Sequence, residues 1–507
     1  MTRHRRATGC AIALAALLTG CGGDSWDETA SRQAIASRLA PTGVQVLIVG
    51  IDGASFRVLD PLLERGELPH LERLIERGSR AVLRSEKPMK SPALWTTMVT
   101  GRHRADHGID GFVARSATSA PSPAGGSGVT HLVSVHDRRT AALWNMLSTF
   151  GRSSGIVGWW VTWPAEAVDG YIVSDRMARS RWSEWTGGGV VEHRASPPEL
   201  EGELEPFVID PADPPLEDFE ALIDWTAAER REFLDVRSPI FAHGLSVFKF
   251  AHCAQRSYER IALHLLDTRE QPDLEAVFLI ALDPICHTFW HYFEPQRFVG
   301  VDQRVAARLH ELIPAYCRHN DAVLGELLAR VGPGTVVLVV SDHGFQASGR
   351  LPATRSRADF AELERVARAT DQVAVGQSGK HGLEGVLVAS GGPVRRGAEV
   401  TASIHDITPT VLALLGLPVA RDMSGRVLTE LVEDDFWRRH PVRYIDTYER
   451  LVDRSAIDSI ARRPDPQLRR QLEALGYVDG ADAPPEATPD APPEATPEAT
   501  PEAPAER

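Results

Sequence analysis

Three runs of β-branched and aliphatic residues that end on acidic side chains constrain this 507-residue chain more than any other feature. VQVLIVGIDG closes on Asp52-Gly53, AVFLIALD on Asp283, and GTVVLVVSDHG on Asp342-His343. A strand that is apolar at every position must be covered on both faces, which is the situation of a parallel sheet packed between helices. EGVLVASGG reads as a further strand, and LPHLERLIERGS, with apolar residues at helical spacing and a stop at Gly78, as a covering helix. The fold class expected is α/β: a mostly parallel central sheet flanked by helices, with a helical cap or insertion. Ligands in open α/β sheets collect at the carboxyl ends of strands. Strands ending in Asp, Asp and Asp-His therefore predict one shared site.

Composition narrows the partners. The formal net charge is -14 with a pI near 5.7, which argues against nucleic acid as a partner. The balance of 43% hydrophobic and 24% charged residues is that of a soluble globular chain. Five cysteines stand at Cys10, Cys21, Cys253, Cys286 and Cys317 without a CxxC pair, which argues against a zinc ribbon or thioredoxin-type site. Among the last three at most one disulfide can form.

The ends of the chain read differently from its middle. MTRHRR followed by AIALAALL has the basic and apolar regions of a secretory signal peptide, and the apolar run is too short to span a bilayer. Leu18-Thr19-Gly20-Cys21 resembles a bacterial lipobox, which implies lipidation at Cys21 and an exported protein held at a bacterial membrane, facing the periplasm or the exterior. The organisation expected is a signal peptide over 1–21, a flexible tether over 22–42, a globular domain over 43–450 with an insertion at about 177–250, a helical extension over 451–480, and a Pro/Glu/Ala/Thr-rich tail over 481–507 that lacks the apolar residues to fold. SATSAPSPAGGSG interrupts the domain as a low-complexity loop.

Four islands carry the chemistry: Asp52 in IVGIDGAS, Asp283 and His287 in DPICH, Asp342 and His343 in SDHG, and His381 in GKHGLEG. Carboxylates mixed with imidazoles suit zinc, manganese or iron. Asp283 and His287 are four apart, so one helical turn puts both on the same face.

In these islands, and in the block KSPALWTTMVTG and the stretch IHDITPTVLALLGLP, the chain resembles the alkaline phosphatase superfamily, specifically its type I phosphodiesterase and nucleotide pyrophosphatase branch, over roughly Val44 to Leu431. The resemblance implies an alkaline phosphatase-like catalytic domain and a metal-dependent phosphoric ester hydrolase. Family members carry a Ser or Thr ten residues before the glycine of the TG pair, and counting back from Gly101 gives Ser91 as the nucleophile. By the same resemblance Asp283, His287 and His381 would hold one divalent ion. Asp52, Asp342 and His343, with the Ser91 oxygen, would hold the other. The implied cofactors are two divalent ions, Zn2+ favoured and Mn2+ possible. The implied substrate is a small phosphate ester, a diester in preference to a monoester, cleaved through a covalent phosphoserine.

One departure concerns the substrate. Pyrophosphatases of this branch carry an asparagine, in a DN pair after the nucleophile block, that binds a phosphate oxygen; here the stretch is Ile109-Asp110-Gly111-Phe112. Of only four lysines, Lys90 and Lys380 directly precede Ser91 and His381, and Lys87 is close by. Lys90 or Lys380 is the candidate for the missing phosphate contact. His103 and His107 are expected to position their loop, Asp406 or Thr408 to cap a helix, and the tryptophans of GWWVTWPAE to pack in the core or line a cleft. Rival readings are a phosphotransferase on the same scaffold and a non-catalytic lipid-anchored binding protein. A sulfatase is excluded because its C/S-x-P-x-R nucleophile pattern is missing: Trp95 stands four after Ser91. A cofactor-independent phosphoglycerate mutase, which is cytosolic, conflicts with the signal peptide.

Overall fold

The computed structural model describes residues 28–37, 39–115, 130–178, 191–235, 244–351 and 377–455. The signal segment with Cys21, the SATSAPSPAGGSG loop, residues 456–480 and the 481–507 tail lie outside the described residues. Nine strands form one sheet in the order Ala402–Ser403, Ser79–Arg84, Glu384–Ser390, Val336–Val340, Val46–Ile51, Leu274–Leu279, Ser154–Val157, Gly170–Val173, Ala195–Ser196. Val46–Ile51 lies at the centre, parallel to Leu274–Leu279 on one side and Val336–Val340 on the other. All residues of these three strands are buried, as their unbroken apolar sequences require. Glu384–Ser390, the further strand expected from EGVLVASGG, runs antiparallel to both of its neighbours.

The pleat divides the apolar residues between two layers. Leu47, Val49, Val277, Leu279, Val337 and Val339 face one core, which is covered by the Phe56–Glu64, Pro69–Arg77, Gly244–Thr268, Leu282–Phe293 and Leu312–Leu328 helices. Val46, Ile48, Ala276, Phe278, Leu338 and Val340 face the other, covered by the Ser91–Thr100, Leu143–Thr149 and Ile407–Leu414 helices. A buried acidic group lies within the sheet. Burial pushes the Glu275 carboxyl up to about 8, so it is protonated at neutral pH, and the Tyr171 hydroxyl meets its Oε2 at 2.6 Å.

The described part of 177–250 is largely helical, and it enters the main core through Phe219, Phe233 and Phe248. It also adds the Ala195–Ser196 edge strand, antiparallel to Gly170–Val173. The stretch expected as a tether contains a helix, Glu28–Ala36, and its end is fastened to the domain where the Thr42 hydroxyl donates to Leu414 O at 2.7 Å. Cys253, Cys286 and Cys317 are buried free thiols, and burial pushes Cys253 and Cys317 up to about 12. Among the described residues no helix is long and apolar enough to cross a membrane.

Candidate active site

The turn after the central strand is built around Gly53, which has φ +74. A Cβ there would stand 2.6 Å from Phe345 Cε2, so the residue after Asp52 must be glycine for both conformation and space. Asp52 N–H donates to Leu279 O at 3.1 Å, which ties the turn to the adjacent strand. Asp342 and His343 follow the neighbouring strand in the same way. His381 lies on the Gly379–Gly382 strand, which forms an antiparallel hairpin with Gly344–Ala347 and pairs directly with Phe345. Asp283 and His287 share the Leu282–Phe293 helix, as their spacing predicts.

Ser91 is the first residue of the Ser91–Thr100 helix. Pro92 suits the first turn, and Gly101, at φ 66, closes the helix in the left-handed conformation. The whole helix is buried, and its threonines stay inside by bonding locally: Thr96 Oγ1 to Pro92 O at 2.7 Å and Thr100 Oγ1 to Thr96 O at 2.8 Å. Thr97 Oγ1 meets His107 Nε2 at 2.9 Å, and His107 Nδ1 accepts from Ile109 N–H at 3.1 Å, so His107 joins the helix to the loop that follows. The helix N-terminus carries partial positive charge and favours an anionic oxygen at Ser91 by about 0.3–1 kcal/mol.

These elements bring all seven candidate residues together. Ser91 Oγ lies 3.5 Å from Asp52 Oδ1. His343 Nε2 is 3.5 Å from Asp52 Oδ1, 3.5 Å from Asp342 Oδ2 and 3.6 Å from Asp283 Oδ1. The His343 separations are too long for hydrogen bonds. They match donors around one tetrahedral ion, which at bond lengths near 2.1 Å stand about 3.4 Å apart. His381 Nε2 is 3.1 Å and His287 Nε2 3.4 Å from Asp283 Oδ1, and the two imidazole nitrogens are 2.7 Å from each other. The second ring nitrogens are held by backbone: His287 Nδ1 by Gly379 O at 3.0 Å, His381 Nδ1 by Met89 O at 3.1 Å and His343 Nδ1 by Gly344 O at 3.2 Å. Such bonds fix the ring orientation of metal-binding histidines. Two ligand-compatible sets result, Asp52 with Asp342 and His343, and Asp283 with His343 and His381. His343 thus faces both sets, and His287 stands against the second.

The electrostatics favour a cation. Neither Asp342 oxygen nor His343 Nε2 has a hydrogen-bond partner among the described residues, although both side chains are fully buried. Within the first set the ligand atoms lie within 4.8 Å of one another. Two carboxylates at that distance repel by about 3–4 kcal/mol at an effective dielectric near 20, more than the ~1 kcal/mol of an ordinary hydrogen bond. Burial, then the neighbouring carboxylates, push the Asp52 and Asp342 carboxyls well above the usual range. For Asp283 burial alone acts upward, but His287 and His381 outweigh it and hold the carboxyl well below that range. Burial depresses His343 and His381, keeping the imidazoles neutral with a lone pair available. The donor set fits a pair of divalent ions.

The lysines part company. Lys90 is exposed at the helix start, and its stem crosses Gly111: a Cβ on Gly111 would meet Lys90 Cδ at 2.8 Å and Nζ at 3.5 Å. Lys380 adjoins His381 on a strand, so alternation turns it to the opposite face. Asp406 occupies the helix-start position but does not cap it. Its Oδ2 accepts from Ser403 N–H at 2.8 Å and its Oδ1 from Arg426 N–H at 2.8 Å, while the Thr408 hydroxyl donates to Met98 O at 2.8 Å. The tryptophans divide as well. Trp159 packs edge-on against Trp95 in the core at 5.0 Å, whereas Trp160, with Phe112, Phe250, Ala254 and Ile280, walls a cleft that opens onto Asp52, Ser91 and Asp283.

A mostly parallel sheet with carboxylates and imidazoles gathered beyond its strand ends, around a helix-borne serine, is the arrangement of the alkaline phosphatase superfamily. The sequence matches the profile of the type I phosphodiesterase / nucleotide pyrophosphatase family over residues 46–387. The chain belongs to that family, which places it among the phosphoester hydrolases. Arylsulfatase K of Canis lupus familiaris is 25% identical over 134 residues, a match covering 25% of this chain and 22% of that protein. Among solved structures, a mutant of the alkaline phosphatase PafA aligns at TM-score 0.42 and 13% identity, covering 78% of this chain and 99% of that one. Human ectonucleotide pyrophosphatase / phosphodiesterase 5 aligns at TM-score 0.43 and 13% identity, covering 77% and 100%.

The crowded carboxylates predict how the metal-stripped protein responds to pH. A carboxyl raised by folding keeps its proton in the folded state where the unfolded state has lost it, so its contribution to stability is lost as pH rises, by up to about 1.4 kcal/mol per unit and per proton. Depressed histidines act in the opposite sense, and a difference curve cancels them. Denaturant unfolding of metal-stripped wild type and Asp342→Asn between about pH 5 and 9 should show wild type losing stability relative to the variant as pH rises. Parallel curves would contradict the electrostatic account.

Proposed function

We propose that the chain is a phosphodiesterase that uses two divalent ions and a covalent intermediate on Ser91. The observation that carries this reading is the placement of the Ser91 hydroxyl. It stands at a helix N-terminus, 3.5 Å from a carboxylate of the donor cluster, and opens into the aromatic-walled cleft. The cleft is lined largely by apolar and aromatic side chains, Phe112, Trp160, Phe250, Ala254 and Ile280, which suits an ester carrying an organic group better than a doubly charged monoester.

Asp283, His287 and His381 would hold one ion and Asp52, Asp342 and His343 the other, with zinc favoured by the imidazoles and manganese the alternative. Two such ions supply charge neutralisation at the attacking and leaving oxygens. The rest is the work of the chain. Ser91 Oγ, its proton released to solvent, attacks phosphorus as the bond to the leaving alkoxide breaks, and the leaving alkoxide takes a proton from solvent. The serine then carries the phosphoryl group with its remaining ester. Water attacks the same phosphorus, the Ser91 hydroxyl is restored and a monoester leaves. Phe112, Trp160, Phe250 and Ile280 hold the retained organic group and exclude water from it. Lys90, crossing the segment where the pyrophosphatase asparagine is missing, donates to a phosphate oxygen, and Lys380 does not.

Turnover of bis-p-nitrophenyl phosphate against p-nitrophenyl phosphate tests this. The diester should be favoured, and Ser91→Ala should lose about a thousandfold or more in kcat. Losing a charge-assisted hydrogen bond predicts that Lys90→Met costs about tenfold in kcat/KM while Lys380→Met stays within about twofold. Wild-type turnover by Ser91→Ala, or a loss below about threefold for Lys90→Met, would contradict the respective assignment.

The lipobox-like LTGC segment supports a protein anchored through Cys21 at a bacterial membrane and facing the periplasm or exterior. Cys21→Ser should then move the protein from the membrane fraction to the soluble fraction. Retention with the membrane would contradict the anchor.

A further inference from the structure

Outside the seven-residue cluster, three side chains from distant parts of the chain converge near the nucleophile helix. Glu86 lies on the connection from the Ser79–Arg84 strand to Ser91, His103 follows the end of that helix, and His405 sits in the Ile404–Asp406 turn. Glu86 Oε2 is 3.1 Å from His405 Nε2 and 3.6 Å from His103 Nδ1, and the ligand atoms of all three lie within 4.8 Å of one another. The two imidazole rings meet edge to face with centroids 4.5 Å apart. Exposure is graded across the cluster: the His405 side chain is 11% exposed, Glu86 26% and His103 58%. The hydrogen bond from His405 holds the Glu86 carboxyl below its usual range, so the carboxylate is charged at neutral pH.

We propose that Glu86, His103 and His405 form a third metal site, separate from the catalytic pair, that binds a divalent transition ion of the zinc class. The donor chemistry selects that class, because two imidazoles and one carboxylate suit zinc and its neighbours, whereas calcium and magnesium take oxygen ligands. Three protein ligands leave a fourth position for water, and the exposed His103 edge puts that position at the surface. Ligation through Nε2 leaves the His405 Nδ1 proton buried without a partner among the described residues, which lowers affinity relative to a closed structural site.

The ion acts as a clasp. It joins the segment entering the Ser91 helix to the segment leaving it, and ties both to the turn that opens the Ile407–Leu414 helix, whose Thr408 hydroxyl already bonds Met98 O at 2.8 Å. The cluster therefore fixes both ends of the helix that carries Ser91 without touching the reacting atoms.

The test is zinc content after equilibration with zinc and removal of excess, measured on the full chain by elemental analysis. Four proteins are compared: wild type, His103→Ala/His405→Ala, Asp52→Asn/Asp342→Asn, and all four substitutions together. The histidine pair should remove about one equivalent of zinc in both backgrounds. Equal zinc with and without these histidines would overturn the site. An unchanged content in Asp52→Asn/Asp342→Asn bears instead on the catalytic centre, so the two failures are distinguishable. Where the quadruple variant lacks a native far-UV spectrum, wild type against His103→Ala/His405→Ala decides alone.

Discussion

Like-charge crowding at the end of the central strands governs this structure. Asp52, Asp283 and Asp342 are brought within reach of a single imidazole, His343; Asp52, Asp342 and His343 are buried, and Asp283 borders the cleft. A globular fold tolerates such a cluster only where protons or bound positive charge compensate it, since one repelling pair costs more than the hydrogen bonds available nearby return. Two of the carboxyls are pushed upward and one downward, and this splitting of chemically alike groups by their surroundings is typical of functional sites. Here the imbalance is met by a donor geometry that suits divalent ions.

The sheet makes the crowding possible. Parallel strands buried on both faces end at the same level, and each delivers a side chain there without spending core positions on polarity. Gly53 lets the first turn bend sharply under Phe345, and Phe345 in turn packs against His287, His343 and His381 with ring centroids 4.8 to 5.6 Å away. One aromatic ring thus supports all three imidazoles. The buried Ser91–Thr100 helix delivers the serine from the opposite layer, so the site forms where the two cores meet.

Much of this architecture is legible in the amino-acid sequence. Continuous apolar runs ending in Asp specify buried strands with a site at their ends, and the Asp283–His287 spacing specifies a shared helix face. Three features are hidden for physical reasons. The start of the Ser91 helix is obscured because the lysine before it offers no side-chain cap; Pro92 and Gly101 are the signals that mark it. The fates of Trp159 and Trp160 depend on which face of one turn each residue takes, and composition does not distinguish them. The Glu86–His103–His405 cluster joins residues with no local pattern, and only tertiary folding brings them together.

The central claim is that Ser91 takes the phosphoryl group before water does. The stereochemical course at phosphorus tests it most directly, using a chiral phosphorothioate diester hydrolysed in isotopically labelled water. Two successive in-line displacements, the first by Ser91 and the second by water, predict net retention of configuration. Inversion would mean that water attacks directly, and would contradict the covalent route whatever metals the site holds.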